Sequence, residues 1–219
     1  MSTEKNQPDL SFLALDHARR VQEMETDFAK RVINGTPVEE YYNYGVASRL
    51  VEAEADLAGI TPGENVLFIG SGPFPSSAIC LARQRDVSVT CYDLSSDAYQ
   101  ISTAVIEKIG LADKIKVAQV SGADGSMSGY DAIIVAFELM NKPAVLTNIL
   151  ANVDPDARVI IRSSDGNRKS LYPAVTDKDL AGGITRKGLI PTGSRVKLPD
   201  FDIASRCYIR PSSSGKTQT

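Results

Sequence analysis

Five short apolar and β-branched runs, at residues 65–69, 87–92, 115–119, 131–137 and 158–162, alternate with helical periodicity at 75–84, 97–109 and 143–151. Runs this continuously apolar cannot leave one face in water, and parallel neighbours need a crossover between them. The pattern therefore predicts a mostly parallel sheet with helices on both faces. After Leu180 the character changes. Gly182-Gly183, Pro191 and Gly193 punctuate two more strands, at 194–198 and 202–209, joined by Pro199-Asp200. These read as an antiparallel hairpin that brings the sheet to seven strands. One further short helix is expected near residues 169–180.

Two helices precede the first strand. From Leu10 to Ile33 the apolar positions Val21, Met24, Phe28 and Val32 share a face, and Asn34-Gly35 followed by Thr36-Pro37 is a stop and a restart. A second helix is expected over 46–58, closed by Gly59. Residues 1–60 thus read as cap helices over or beside the sheet and 61–210 as the ligand-binding α/β domain. The Ser/Gly/Lys/Thr-rich stretch 211–219 reads as a disordered tail.

Charge narrows the partners. The formal net charge is −3, with acids and bases interleaved and no Lys/Arg block. This speaks for a small-molecule substrate and against nucleic acid. No apolar run approaches the roughly 20 residues of a membrane span, and the first residues lack the pattern of a signal peptide. Cys80, Cys91 and Cys207 form no CxxC pair, which fits a reducing compartment and no metal. The expected location is the cytoplasm.

The first strand runs into Gly70-Ser71-Gly72-Pro73-Phe74-Pro75 and then a helix. Two glycines permit a tight turn and close approach of backbone to a ligand, and Pro75 suits the first helical position. A plain strand-to-helix turn would look the same. Asp93 ends the second strand, where a carboxylate can accept hydrogen bonds from two ribose hydroxyls or cap the next helix. At the third strand end, Ala123 N–H and Asp124 are candidates for the adenine edge, or for an ordinary turn. Together the three strand ends describe an adenosine site. A parallel sheet finished by a hairpin is the usual form of class I methyltransferase-like folds, so the expected fold is α/β and Rossmann-like.

Several strings then occur in a specific order: Tyr41-Tyr42-Asn43-Tyr44, the turn 68–75, Tyr92-Asp93, and a stretch from Ile161-Arg162-Ser163-Ser164 to Leu171-Tyr172-Pro173. The series resembles the nicotianamine synthase family, which includes bacterial opine-metallophore synthases, over roughly residues 41–175. The resemblance implies that S-adenosylmethionine is bound as substrate by Gly70, Ser71, Gly72, Pro73, Asp93, Ala123, Asp124 and Arg162. It also implies movement of the 3-amino-3-carboxypropyl arm, with release of 5′-methylthioadenosine. Plant members carry a substantial N-terminal helical domain, whereas only about 40 residues precede Tyr41 here. A chain this short is most similar to small relatives that only close the arm into azetidine-2-carboxylate.

Ring closure requires the substrate's own α-amine behind Cγ and a methyl kept out of reach. That amine has a reference pKa near 8, so an orienting polar group suffices to prepare it. Candidates are Tyr42, Tyr44, Glu52, Asn141 and Tyr172. Glu52 stands where the family has a Leu-Glu pair, or is a solvated glutamate. Asn141 faces the transferred group, or caps a helix. Tyr44 and Tyr172 offer a hydroxyl or a ring face to the sulfonium, or belong to the core. Arg162 pairs with the substrate carboxylate or with an acidic neighbour. His17 reads as a surface group. Cyclisation, arm transfer to an external amine, and ordinary methyl transfer remain as functions.

Overall fold

The computed structural model describes residues 10–164, 175, 189–197 and 203–209. The chain order is α1 (Leu10–Ile33), a single 3-10 turn (Val38–Glu40), α2 (Tyr44–Ala58), β1 (Asn65–Ile69), α3 (Ser76–Arg85), β2 (Ser88–Asp93) and α4 (Ser96–Lys108). It continues with β3 (Ile115–Gln119), β4 (Ala132–Val135), α5 (Lys142–Asn152), β5 (Arg158–Ser164), β6 (Ile190–Lys197) and β7 (Ile203–Ile209). The strands form one sheet in the order β3-β2-β1-β4-β5-β7-β6. β1 to β5 are parallel, while β7 runs antiparallel to both β5 and β6. This is the fold expected: mostly parallel, closed by an antiparallel pair.

Strand alternation sorts the core into two layers. On one face Val66, Phe68, Ile134 and Ile160 meet Phe28 and Val32 of α1, Val51 of α2, Ile79 of α3 and Val105 of α4. On the other, Leu67, Ile69, Val135, Val159 and Ile161 meet Val145 and Ile149 of α5. Among the described residues, four helices cover the first face and α5 covers the second. Phe28, Tyr41 and Phe74 form a triangle of rings with centroids 4.7–5.2 Å apart, which ties α1 and the segment before α2 to the lead-in of α3.

Some boundaries differ from expectation for local reasons. β4 stops at Val135: Ala136 N–H still donates to Ile69 O (3.0 Å), and the chain then turns toward α5. Pro75 is the residue before α3 rather than its first. α2 begins at Tyr44, two residues earlier than the pattern suggested, and ends as expected on left-handed Gly59. β6 begins at Ile190, with a bulge-like register shift between Pro191 and Arg195. The helix expected near 169–180 and the tail 211–219 lie outside the described residues.

Candidate active site

The strand order reverses between β1 and β4. In open parallel sheets ligands bind beyond the carboxyl ends of the strands at such a point. A cleft of about 900 Å³ opens there, floored by Gly70–Phe74, Asp93 and Ala136–Met140, walled by α1 and α2, and reaching Arg162 at its inner end.

The glycine turn is built by backbone demand. Gly70 and Gly72 have φ of +83° and +69°, which side-chain-bearing residues rarely adopt. Gly70 N–H donates to Tyr92 O (2.8 Å), which fastens the turn to β2. Asp93 completes it, with Oδ2 accepting from Gly72 N–H (2.8 Å) and Oδ1 from Ser95 N–H (3.0 Å). Ser95 caps α4 by accepting from Ala98 N–H (3.2 Å), so Asp93 is not the cap. Each Asp93 oxygen retains lone-pair capacity toward the cleft.

Glu25 of α1 reaches over this turn, and the pattern gave it no role. Tyr41 Oη–H approaches its Oε1 at 3.5 Å. Burial, and then the carboxylates of Glu138 and Asp93, push the Glu25 carboxyl up to about 8, against a smaller downward pull by the Tyr41 hydroxyl. Burial and the same carboxylate drive the Tyr41 hydroxyl upward as well. Three carboxylates, Glu25, Asp93 and Glu138, thus face one cleft.

Arg162 lines the inner end but is largely committed. Its Nε and Nη2 donate to both oxygens of fully buried Glu54 (2.9 and 2.8 Å), Nη1 donates to Ser77 Oγ (3.0 Å), and the guanidinium stacks 5.1 Å from the Phe68 ring. Ser205 Oγ–H also donates to Glu54. The acidic neighbour weighed as its partner is therefore Glu54, and the N–H left on each Nη is what remains for a ligand.

The remaining candidates divide. Gly70, Ser71, Gly72, Pro73, Asp93, Tyr42 and Arg162 line the cleft. Tyr44 does not: it lies toward α3, where its hydroxyl accepts from Arg83 (3.3 Å). Glu52 is exposed on the outer face of α2, so the solvated reading fits it. Asn141 precedes α5 with no side-chain capping bond and lies outside the cleft lining, next to Met140, which is inside. Ala123 and exposed Asp124 sit in a turn at the same sheet edge, held by bonds to Ser121, but they too lie outside the lining. Tyr172 lies outside the described residues. His17 is not a plain surface group: it lines the cleft, with Nδ1 3.9 Å from Glu138 Oε1. The three cysteines are buried and unpaired. No described helix is long and apolar enough to cross a membrane.

The family profile described as "Nicotianamine synthase protein" matches residues 37–194, well over half of the chain. The chain belongs to the nicotianamine synthase family. An L-histidine 2-aminobutanoyltransferase of Pseudomonas aeruginosa is 30% identical over 134 residues, covering 60% of this chain and 51% of that protein. Nicotianamine synthase 8 of Hordeum vulgare is 31% identical over 156 residues, 65% of this chain and 47% of that one. This chain spans about half the length of the curated relatives it matches. Among solved structures, a mutant of MtNAS in complex with S-adenosylmethionine superposes with TM-score 0.80 at 25% identity, covering 93% of this chain and 78% of that one. An RNA methyltransferase from Salinibacter ruber shares the fold at TM-score 0.56 and 15% identity, covering 81% of this chain and 94% of that one.

Proposed function

We propose that this nicotianamine synthase family member binds S-adenosylmethionine as substrate and moves its 3-amino-3-carboxypropyl arm. We further propose that the arm closes on its own amine to give azetidine-2-carboxylate and 5′-methylthioadenosine. The observation that carries the reading is Glu25, a carboxyl pushed up to about 8 that lies directly over Gly72 of the turn. A base at the glycine turn stands beside the substrate's own arm, where intramolecular attack needs it. Support for the substrate comes from the family match and from the MtNAS complex.

In this reading Asp93 accepts from the ribose hydroxyls with the lone pairs its two amide partners leave free. The remaining N–H groups of Arg162 hold the arm's carboxylate, so the amine turns toward Glu25 and Glu138. Substrate carrying a sulfonium and an ammonium suits a cleft with three carboxylates, and its arrival favours the ionised form of Glu25. The ammonium passes one proton to the Glu25 carboxylate, and the free amine attacks Cγ from behind the Cγ–S bond. That bond breaks with its electron pair on sulfur, giving a neutral thioether. As the sulfonium charge disappears, Glu25 returns toward its resting affinity for a proton and retains it. The balance is one S-adenosylmethionine cation to one thioether, one zwitterionic imino acid and one proton.

The Pseudomonas aeruginosa relative, an L-histidine 2-aminobutanoyltransferase, favours a second reading in which an external amine takes the arm. Incubation with S-adenosylmethionine alone separates the readings by mass spectrometry. Cyclisation gives 5′-methylthioadenosine and azetidine-2-carboxylate in equal amounts. Transfer gives 5′-methylthioadenosine only with an added amine. S-adenosylhomocysteine as the main product would mean methyl transfer and would sink both.

A further inference from the structure

Glu54, Lys142 and Arg162 are the buried charged side chains among the described residues, and all three belong to one connected network beneath the cleft. Glu54 grips the Arg162 guanidinium with both oxygens, and the backbone carbonyl of that same arginine accepts from Lys142 Nζ at 2.9 Å. Lys142 Nζ donates a second time, at 2.8 Å, to Phe137 O. The formal sum is one surplus positive charge.

Burial, the helix dipole and the Arg162 charge oppose a cation at this place. Lys142 is the first residue of α5, where the helix dipole repels positive charge. It is 8% exposed, and burial and then the Arg162 charge lower its affinity for a proton, with only Glu138 acting in the other direction. What the ammonium gains is two carbonyls beyond the end of the β4–β5 ladder, one of them on Arg162, which still pairs with Ser205 across β5–β7. The β4–β5 register ends at Val135 and Ile161, so Phe137 O and Arg162 O lie just past the last paired rungs. Both residues line the cleft, and Glu138 follows Phe137 directly.

We propose that Lys142 is a positioning residue that ties the turn after β4 to β5 through these two carbonyls and thereby sets where Glu138 stands in the cleft. The proposal rests on reading the cleft as the S-adenosylmethionine site, and it assigns Lys142 no contact with substrate.

Two measurements test it. Amide hydrogen exchange on the ligand-free protein needs no substrate: Lys142→Met should speed exchange at residues 136–139 by about tenfold, the loss of one charge-assisted hydrogen bond's hold. Calorimetric titration with S-adenosylmethionine should show affinity weakened by about tenfold in K142M, and by within about twofold when K142M is added to Glu138→Gln, because residues acting through one another are not additive. K142R keeps the charge and the donors at a different reach, is expected to lose only part of the affinity, and supplies the same cycle should K142M not fold. Unchanged exchange overturns the proposal. So does a lower melting temperature with wild-type affinity, or a full additional loss in the E138Q background. Failure of the substrate reading would appear separately, as a wild-type protein that does not bind S-adenosylmethionine while the exchange result stands.

Discussion

The Glu25 carboxylate lies so close over Gly72 that a Cβ built on that glycine would stand 2.5 Å from its Oε2. The glycine turn and the N-terminal helix therefore share one surface, and α1 is part of the site rather than a cover above it. Gly72 is required twice, by its φ of +69° and by this contact. Gly72→Ala should be strained in the backbone by about 1 kcal/mol or more. It should also displace the carboxylate, lowering S-adenosylmethionine affinity while the sheet stays folded. Circular dichroism and calorimetry on one preparation check both halves, and wild-type affinity would remove Glu25 from contact with the turn.

Glu25→Gln keeps the shape and removes the proton acceptor. Its effect on turnover should be about a hundredfold or more, the usual range for a positioned general base. Binding of S-adenosylmethionine should fall less than kcat. The measurement is 5′-methylthioadenosine release under saturating substrate. Equal losses in binding and turnover would make Glu25 a charge partner only.

The same residue predicts a pH dependence of stability. Its folded pKa, about 8, lies above the unfolded reference near 4.5. The stability it contributes is therefore present below about 4.5, declines as the unfolded chain ionises alone, and is gone above about 8. Thermal melts of ligand-free wild type and E25Q should agree near pH 4 and diverge toward pH 8, with E25Q the more stable there. A constant gap between the two curves would show that Glu25 is not held neutral.

Asp93→Ala removes the acceptor shared by Gly72 N–H and Ser95 N–H. In the proposed complex it also removes the ribose contact. Affinity for both S-adenosylmethionine and 5′-methylthioadenosine should fall by about tenfold to a hundredfold, as expected when a hydrogen bond to a charged group is lost. Because the two ligands share the adenosine and differ in the arm, a loss confined to S-adenosylmethionine would place Asp93 at the arm instead.

How much of this was legible in the sequence depends on periodicity. The parallel strands β1 to β5 were readable because each carries an apolar or β-branched run, and the glycine turn because positive φ needs glycine, whereas β6, broken by Pro191 and Gly193, begins four residues before the place its pattern suggested. Glu25 is legible too: Val21, Glu25, Phe28 and Val32 have the i, i+4, i+7, i+11 spacing of one helix face, with the acid in its middle. Glu54 has the same signature between Leu50 and Ala58, whereas Glu52 falls off that face. Tyr44 was not separable from Tyr41 by pattern. Their difference arises from the end of the 3-10 turn, which aims Tyr41 at Phe28 and Phe74 and leaves Tyr44 facing Arg83. Lys142 carried no signal at all, since its two partners are backbone carbonyls, one in the turn just before it and one in β5.

The Glu54–Arg162 pair offers a prediction in which structural and functional effects separate. Strand alternation puts Arg162 on the same face as Ile160, toward α2, and there it meets a carboxylate with no solvent exposure. Glu54→Ala leaves a buried guanidinium without its counter-charge, a loss of about 3–5 kcal/mol, and should lower the melting temperature sharply. Glu54→Gln also removes the counter-charge but retains one acceptor and the shape, so it should fold with a smaller loss than Glu54→Ala. It also frees the Arg162 guanidinium from most of its electrostatic hold, so the arm's carboxylate should meet a stronger partner and S-adenosylmethionine should bind more tightly than to wild type. 5′-Methylthioadenosine has no carboxylate, and its affinity should stay as it was. Parallel titrations of E54Q with the two ligands decide the matter: equal changes in both would show that Arg162 serves the fold and does not read the carboxylate.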